Sequence, residues 1–284
     1  MVLEWIKRKA FEQGLTDPFF FKNVVRKAAY RKAGGDPERV HELALEALTK
    51  YELSIRERAS LFDFPALHIN LGGREIMPFG TAAGLDKNCD AISPLSYLFG
   101  FQEVGTIVIP QRNGNGRPRV TVDEKIGEVY NAQGFPSKGL AYSKQKLQQY
   151  RSSGGKGIIL ASICGLPPSP DRLDVAYEET ELLLNELDSS VDGFVWNPFS
   201  PNTAALTALR TPKIFEQYAR KVKAVSGERK ILVKMGPYDA EGREKWLKLV
   251  EAWIGGGGDG IVAVNTYMVP KREVPSPNWG YASA

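Results

Sequence analysis

The 284-residue chain contains few residues that could hold a metal or form a disulfide framework. It has two cysteines, Cys89 and Cys164, and two histidines, His41 and His68. Two histidines exclude a histidine-rich metal centre, and the cysteine spacing fits neither a zinc site nor a set of structural disulfides. The sequence therefore predicts no metal site and a reducing compartment.

Long apolar runs and low-complexity tracts are also missing. No stretch reaches the roughly eighteen consecutive apolar residues of a membrane-spanning helix. The N-terminus mixes charged with apolar residues, which is unlike a signal peptide. With 43% hydrophobic and 25% charged residues, the composition is that of an ordinary folded domain. A chain of this length suits one large α/β barrel or two medium domains.

Positive charge is concentrated at the N-terminus. Residues 1–33 hold eight lysines and arginines and three acidic residues, whereas the whole chain carries a net charge of +4. Asp17-Pro18 and Asp36-Pro37 each match an N-cap followed by proline at the first helical position. Apolar residues at helical spacing follow both pairs, and Gly34-Gly35 supplies a stop between them. We expect two or three amphipathic helices before the main domain.

Two interpretations of this basic, aromatic-tipped segment remain open. It could anchor the chain at a membrane surface, or it could form a helical cap on the main domain with solvated lysines. Nucleic-acid binding is a weaker interpretation of the segment, because the basic residues are confined to these helices and the remainder of the chain is not basic.

Behind the helices, short apolar runs end repeatedly in small or polar residues and alternate with helical patterns such as 174–187. This alternation is the pattern of a parallel (β/α) barrel, whose active sites gather at the carboxyl ends of the strands. The six stretches are residues 78–87, 101–108, 157–163, 193–203, 230–235 and 260–266.

The fourth stretch is the most informative. It ends in Asn197, Ser200 and Asn202, which could grip a flat ligand with hydrogen-bonding edges, and Ser200 is a possible proton acceptor. The alternative is an Asx turn with an incidental serine.

Asn197-x-x-Ser200-Pro201-Asn202-Thr203 resembles the active-site motif of the dihydroorotate dehydrogenases, the flavoenzymes of pyrimidine synthesis. The other stretches resemble the same family in the same order. The matching segments are Ala82-Ala83-Gly84-Leu85-Asp86-Lys87, Gly105-Thr106, Asn131 with Gly134-Phe135, Lys234, and Asn265-Thr266.

This resemblance implies an α/β fold, a (β/α)8 TIM barrel that binds FMN. Six of its eight strands are expected in this chain. The implied domains are residues 1–65, the N-terminal amphipathic helices, and residues 66–284, a barrel incomplete at its C-terminal end. The last two strands, whose glycine-rich loops bind the flavin phosphate in the family, are expected to be absent.

The implied activity is oxidation of dihydroorotate to orotate in de novo pyrimidine (UMP) biosynthesis, with quinone as electron acceptor. Ser200 would be the general base, and serine rather than cysteine at this position indicates the quinone-dependent class. The implied flavin-binding residues are Ala82, Ala83, Gly84, Lys87, Thr106, Ser162, Asn197, Lys234 and Val264. The implied substrate-binding residues are Lys87, Asn131, Gly134, Phe135, Asn197, Asn202, Asn265 and Thr266.

Asp36-Pro37-Glu38-x-x-His41 is similar to a stretch of the membrane-associated class of the family. By that similarity His41 would line the quinone tunnel. The chain would lie peripherally on a membrane, on the cytoplasmic side in a bacterium or on an organellar inner membrane in a eukaryote. No nucleic-acid partner is expected.

Three positions depart from the family pattern. Pro136 and Ser162 stand where the family has asparagine, and Val122 stands where it has an arginine. These departures, with the missing end, keep a catalytically inactive homologue or fragment open as an alternative. A flavin-barrel reductase that acts on another pyrimidine is also open, because the substrate asparagines fit any uracil-like ring.

Overall fold

The computed structural model describes residues 2–200, 203–238, 242–270 and 281–283. Its helices are α1 (Val2–Thr16), α2 (Pro18–Phe20), a π-helical turn (Phe21–Val25), α3 (Arg26–Lys32), α4 (Pro37–Lys50), α5 (Glu52–Arg56), α6 (Ile92–Ser96), α7 (Leu140–Ser152), α8 (Leu173–Leu187), α9 (Pro212–Ser226) and α10 (Arg243–Gly255). Its strands are β1 (Ile69–Leu71), β2 (Arg74–Ile76), β3 (Gly80–Thr81), β4 (Phe101–Ile107), β5 (Val120–Asp123), β6 (Glu128–Asn131), β7 (Ile158–Ile163), β8 (Gly193–Trp196), β9 (Lys230–Met235), β10 (Gly260–Ala263), β11 (Met268–Pro270) and β12 (Tyr281–Ser283).

Six strands form a parallel sheet in the order β10-β9-β8-β7-β4-β3. A helix lies between each pair of neighbouring strands along the chain, from α6 to α10, so every crossover is a βαβ unit. The predicted fold, a (β/α) barrel of which six strands are present, is confirmed as a curled partial barrel. A separate antiparallel sheet has the order β11-β12-β6-β5. Its strand β6 ends at Asn131, one of the predicted site residues.

Strand β10 is shorter than the sequence predicts, since it ends at Ala263 instead of Thr266. Just after it, the Asn265 backbone N–H donates to the Met235 carbonyl at 2.7 Å. The Asn265 side chain accepts a hydrogen bond from the Thr266 backbone N–H at 2.8 Å. The Asn265 side chain thus satisfies the Thr266 N–H locally, while the Asn265 N–H still bonds to β9.

An aromatic cluster packs the outer helices against β8. Trp196, which is fully buried, stacks on Tyr218 of α9 with ring centroids 4.2 Å apart and on Trp253 of α10 at 5.6 Å. Successive side chains of a strand point to opposite faces. The outward position of Trp196 therefore directs Asn197, the next residue, into the barrel.

The N-terminal helices form a hairpin in which α1 packs on the π-helical turn. Gly14 permits this approach, because a Cβ there would lie 3.0 Å from Val25 Cγ2. Both predicted N-caps are confirmed, since the Asp17 and Asp36 carboxylates each accept a backbone N–H at 2.9 Å. Within the described part of the chain, none of the helices combines the length and the apolar character that crossing a membrane requires.

A buried ion pair fastens α4 to the barrel. The Glu38 carboxylate of α4 accepts from Nη2 of Arg119 at 2.8 Å and from its Nε at 3.1 Å, and both side chains are buried. The remaining nitrogen of Arg119 donates to the carbonyls of Asn113 and Asn115. One guanidinium thus joins the helix to the loop that precedes β5.

Replacing Arg119 with methionine is expected to destabilise the chain by about 3 kcal/mol, because Glu38 would keep a buried charge without its closest partner. Arg39, partly exposed and paired with Glu42 and Glu46 on its own helix, supplies the control. Arg39→Met should change the free energy of unfolding by less than about 1 kcal/mol. Urea unfolding followed by tryptophan fluorescence measures both, and equal losses would contradict this role for Arg119.

Candidate active site

The carboxyl ends of the strands enclose a cavity of about 160 Å³. Most residues that the sequence pointed to come together here, from β3, β4, β8, β9 and β10 and from the loop after β6. The predicted site residues that line it are Ala83, Gly84, Lys87, Thr106, Asn131, Gly134, Phe135, Asn197, Ser200, Lys234, Asn265 and Thr266. Gly105, Gln133 and Pro136 also line it.

Three other predicted residues, Ala82, Val264 and Ser162, are not part of this lining. Ala82 is exposed at the end of β3, and Val264 is 43% exposed after β10. Ser162 is fully buried, with its hydroxyl bonded to Thr106. Asn202 lies outside the described residues.

A chain of side-chain hydrogen bonds crosses the sheet beneath the cavity. The hydroxyls of Ser162 and Thr106 lie 3.0 Å apart, and Asn197 Nδ2 donates to Thr106 Oγ1 at 2.9 Å. Asn265 Nδ2 in turn donates to Asn197 Oδ1 at 3.0 Å. An amide carries two N–H protons and two oxygen lone pairs, so these bonds fix each amide while leaving further valences for a ligand.

Lys234 lies among buried residues of β9 and also reaches the cavity. Its ammonium group is 3.4 Å from Glu103 Oε1 of β4, and both side chains are buried. The pair offsets the cost of placing either charge inside the barrel. Lys234 therefore presents a fixed cation at the cavity.

Lys87 is a second cation at the cavity, and its environment differs. Its ammonium group donates to the Gly84 carbonyl at 2.8 Å. Burial lowers the pKa of Lys87 below its ordinary value. Among the described residues, no carboxylate lies within ion-pair distance of it. An anionic ligand would favour the charged form of this lysine.

The loop after β6 turns sharply toward the cavity. Gly134 and Phe135 both have left-handed backbones, with φ of +66° and +57°. The positive φ favours glycine at position 134, and a Cβ there would also lie 2.9 Å from the Asn115 side chain. Pro136 follows and lines the cavity, but it has no backbone N–H and no amide side chain to offer.

His41 connects α4 to the segment that follows β3. Its Nε2 lies 2.6 Å from the Leu85 carbonyl and donates to it. Burial, and then the nearby Lys87 charge, lower the pKa of His41, so the imidazole is neutral at neutral pH. His41 also lines a cleft of about 1030 Å³ between α4 and the loop at 111–119. Lys87 and Pro136 line both the cleft and the cavity, so the two spaces adjoin.

Sequence reasoning missed two residues at this site. Glu103, the partner of Lys234, could have been noticed as a charged residue inside the apolar run 101–108. Arg210 donates to two backbone carbonyls of the loop that carries Ser200. No sequence motif marks that role, because backbone carbonyls have no residue identity.

Comparisons with known proteins agree with this geometry. Residues 67–273 match the family model described as dihydroorotate dehydrogenase. The dihydroorotate dehydrogenase (quinone) of Rhodospirillum rubrum is 32% identical over 255 residues, which cover 87% of this chain and 66% of that protein. The Salinispora arenicola protein of the same description is 31% identical, covering 93% of this chain and 77% of the relative.

Solved structures give the same result. The crystal structure of DHODH in complex with ferulenol from Eimeria tenella is 25% identical with a TM-score of 0.70, covering 82% of this chain and 67% of that one. A ligand-free DHODH structure from the same organism has a TM-score of 0.65 at 21% identity, which supports the fold. The chain belongs to the dihydroorotate dehydrogenase family, and both curated relatives named above are described as quinone enzymes.

Proposed function

We propose that this chain oxidises dihydroorotate to orotate in pyrimidine biosynthesis, with quinone as the final electron acceptor. The observation that carries the proposal is the convergence of Ser200, Lys234 and the amides of Asn197 and Asn265 on one strand-end cavity. This set supplies a proton acceptor, a cation and hydrogen-bonding groups for a flat, polar ring. The family match and the quinone-dependent relatives support the same reaction.

The cofactor proposed for this site is FMN, and the residues present fit its ring. Ala83, Gly84 and Gly105 offer a surface with little side-chain bulk, against which a flat ring can lie. Lys234 supplies a positive charge, which favours a reduced, anionic ring, and Asn197 supplies a fixed amide. When bound, FMN supplies the two-electron acceptor that the reaction requires.

The substrate would be held by groups that match its edges. The amides of Asn131, Asn197 and Asn265 can each donate to and accept from the imide and amide edges of a pyrimidine. Lys87, which lacks a carboxylate partner among the described residues, suits the substrate carboxylate. Burial disfavours the charged form of Lys87, and a bound anion would favour that form by pairing with it.

Ser200 is the proposed general base. Oxidation removes a proton and a hydride from adjacent ring carbons and leaves a C=C bond. Ser200 is 8% exposed and lines the cavity. It can therefore accept the substrate proton at a place that is shielded from bulk water. A serine hydroxyl is a weak base on its own, and it takes up the substrate proton only if it gives up its own, so its surroundings must favour the alkoxide form.

Ser200→Ala is expected to slow reduction of the bound flavin by dihydroorotate at least 100-fold, the range typical of losing a general base. FMN content should remain that of the unaltered protein, because the hydroxyl is not proposed to hold the cofactor. Stopped-flow absorbance of the flavin band measures the step. Ser152→Ala, at an exposed end of α7, is the matched control. An unchanged rate in Ser200→Ala would remove Ser200 from the mechanism.

His41 is proposed to lie on the quinone route, since it borders a cleft that adjoins the cavity. His41→Ala should raise the KM for quinone several-fold while leaving flavin reduction by dihydroorotate unchanged, because the two half-reactions use different spaces. His68→Ala is the control, since His68 pairs with Asp63 at 2.5 Å and does not line the cleft. A variant slowed only in flavin reduction would contradict this assignment.

We also propose that the N-terminal hairpin lies on a membrane surface. Its apolar side chains are unusually exposed, with Trp5 at 60% and Phe19 at 77%, and basic residues surround them. Exposed apolar groups flanked by lysine and arginine suit an interface with anionic lipid. This arrangement supports a peripheral location. The proposed membrane, by the family resemblance, is the cytoplasmic side of a bacterial membrane or an organellar inner membrane.

The double variant Trp5→Gln, Phe19→Ser should bind vesicles of phosphatidylglycerol and phosphatidylcholine at least tenfold more weakly, since burying each aromatic side chain contributes roughly 1.5–3 kcal/mol. Co-sedimentation measures the partitioning. Leu247→Gln, which removes an exposed apolar side chain of α10, is the control. If the double variant and the unaltered chain partition equally onto the vesicles, the hairpin is ruled out as the anchor.

A further inference from the structure

One guanidinium grips the loop that follows β8. Arg210 Nε donates to the Pro198 carbonyl at 3.1 Å, and its Nη2 donates to the Ser200 carbonyl at 3.2 Å. The two acceptors lie on either side of Phe199. The fork of the guanidinium matches this pair of carbonyls, so the backbone around Ser200 is held at two points by one rigid group.

The ring of Phe199 completes the same clamp. Arg210 Cζ lies 4.9 Å from the ring centroid, within the range of a cation–π contact. The ring packs edge-on against Phe215 of α9 at 6.0 Å. It also fills the space beside Gly236, where a Cβ would lie 2.6 Å from Phe199 Cδ1. The residue between the two held carbonyls is thus wedged between α9 and the end of β9.

Among the described residues, no carboxylate lies within ion-pair distance of the Arg210 guanidinium, and burial lowers the pKa of Arg210. Removing a guanidinium from water without pairing it is unfavourable, and bonds to two carbonyls offset that cost only in part. A cation in this position would favour the alkoxide form of the neighbouring serine, the form that can accept a proton.

We propose that Arg210 is a positioning residue for the reaction, holding the loop so that the Ser200 hydroxyl faces the ring carbon that loses its proton. The inference rests on the proposed role of Ser200 as base. It assigns to Arg210 no contact with substrate or cofactor, since Arg210 does not line the cavity.

The test compares Arg210→Gln and Arg210→Lys in the full chain loaded with FMN. Arg210→Gln should slow flavin reduction at saturating dihydroorotate roughly 30-fold or more, since small misplacements of a reacting group have effects of this size. The Kd for orotate, read from the flavin spectrum, should change less than threefold. Arg210→Lys should reduce its flavin at least fivefold faster than Arg210→Gln does, because lysine keeps the charge and can reach one carbonyl.

Arg220→Gln is the matched control, since Arg220 forms an exposed ion pair with Glu216 on α9 and should leave every readout unchanged. Wild-type rates in Arg210→Gln would overturn the inference. Parallel losses of FMN or orotate binding would also overturn it, because they assign Arg210 to folding or ligand binding. If the unaltered chain binds FMN but is not reduced by dihydroorotate, the proposed function fails first and the role of Arg210 falls with it.

Discussion

The hydrogen-bond chain from Ser162 through Thr106 and Asn197 to Asn265 is the interaction on which the rest of the site depends. It links residues of β7 and β4 with the ends of β8 and β10, and its amides face the cavity. Each bond depends on the register of the strands that carry its two residues. A one-residue slip in β8 would turn Asn197 outward and Trp196 inward, which would break both the polar chain and the aromatic cluster.

The two faces of the sheet therefore specify each other. On the outside, Trp196 stacks between α9 and α10, and this packing resists any slip of β8. On the inside, fixed amides and the Lys234–Glu103 pair create a polar surface within a largely apolar barrel. The N-terminal helices are tied to the same frame by the Glu38–Arg119 pair and the bond from His41 to Leu85. A cleft lined by α4 thus adjoins a cavity formed by the strands.

The alternation of strands and helices could be predicted because each short apolar run is buried and each intervening helix is amphipathic. The cavity-lining residues could be predicted because parallel strands bring their carboxyl ends to one face. Other features depend on contacts distant in sequence. Glu103 meets Lys234 only when β4 and β9 curl around the barrel, and Arg210 contacts backbone atoms that carry no sequence signal. Just beyond β10, the Asn265 side chain bonds to the Thr266 backbone, a local contact that the apolar pattern does not predict.

The proposed reaction can be followed in the visible absorption spectrum of the chain loaded with FMN, recorded without oxygen before and after dihydroorotate is added. We expect that FMN binds, that the flavin band bleaches with dihydroorotate, and that added quinone restores it. A chain that binds FMN but keeps its flavin band with dihydroorotate would contradict the proposed reaction.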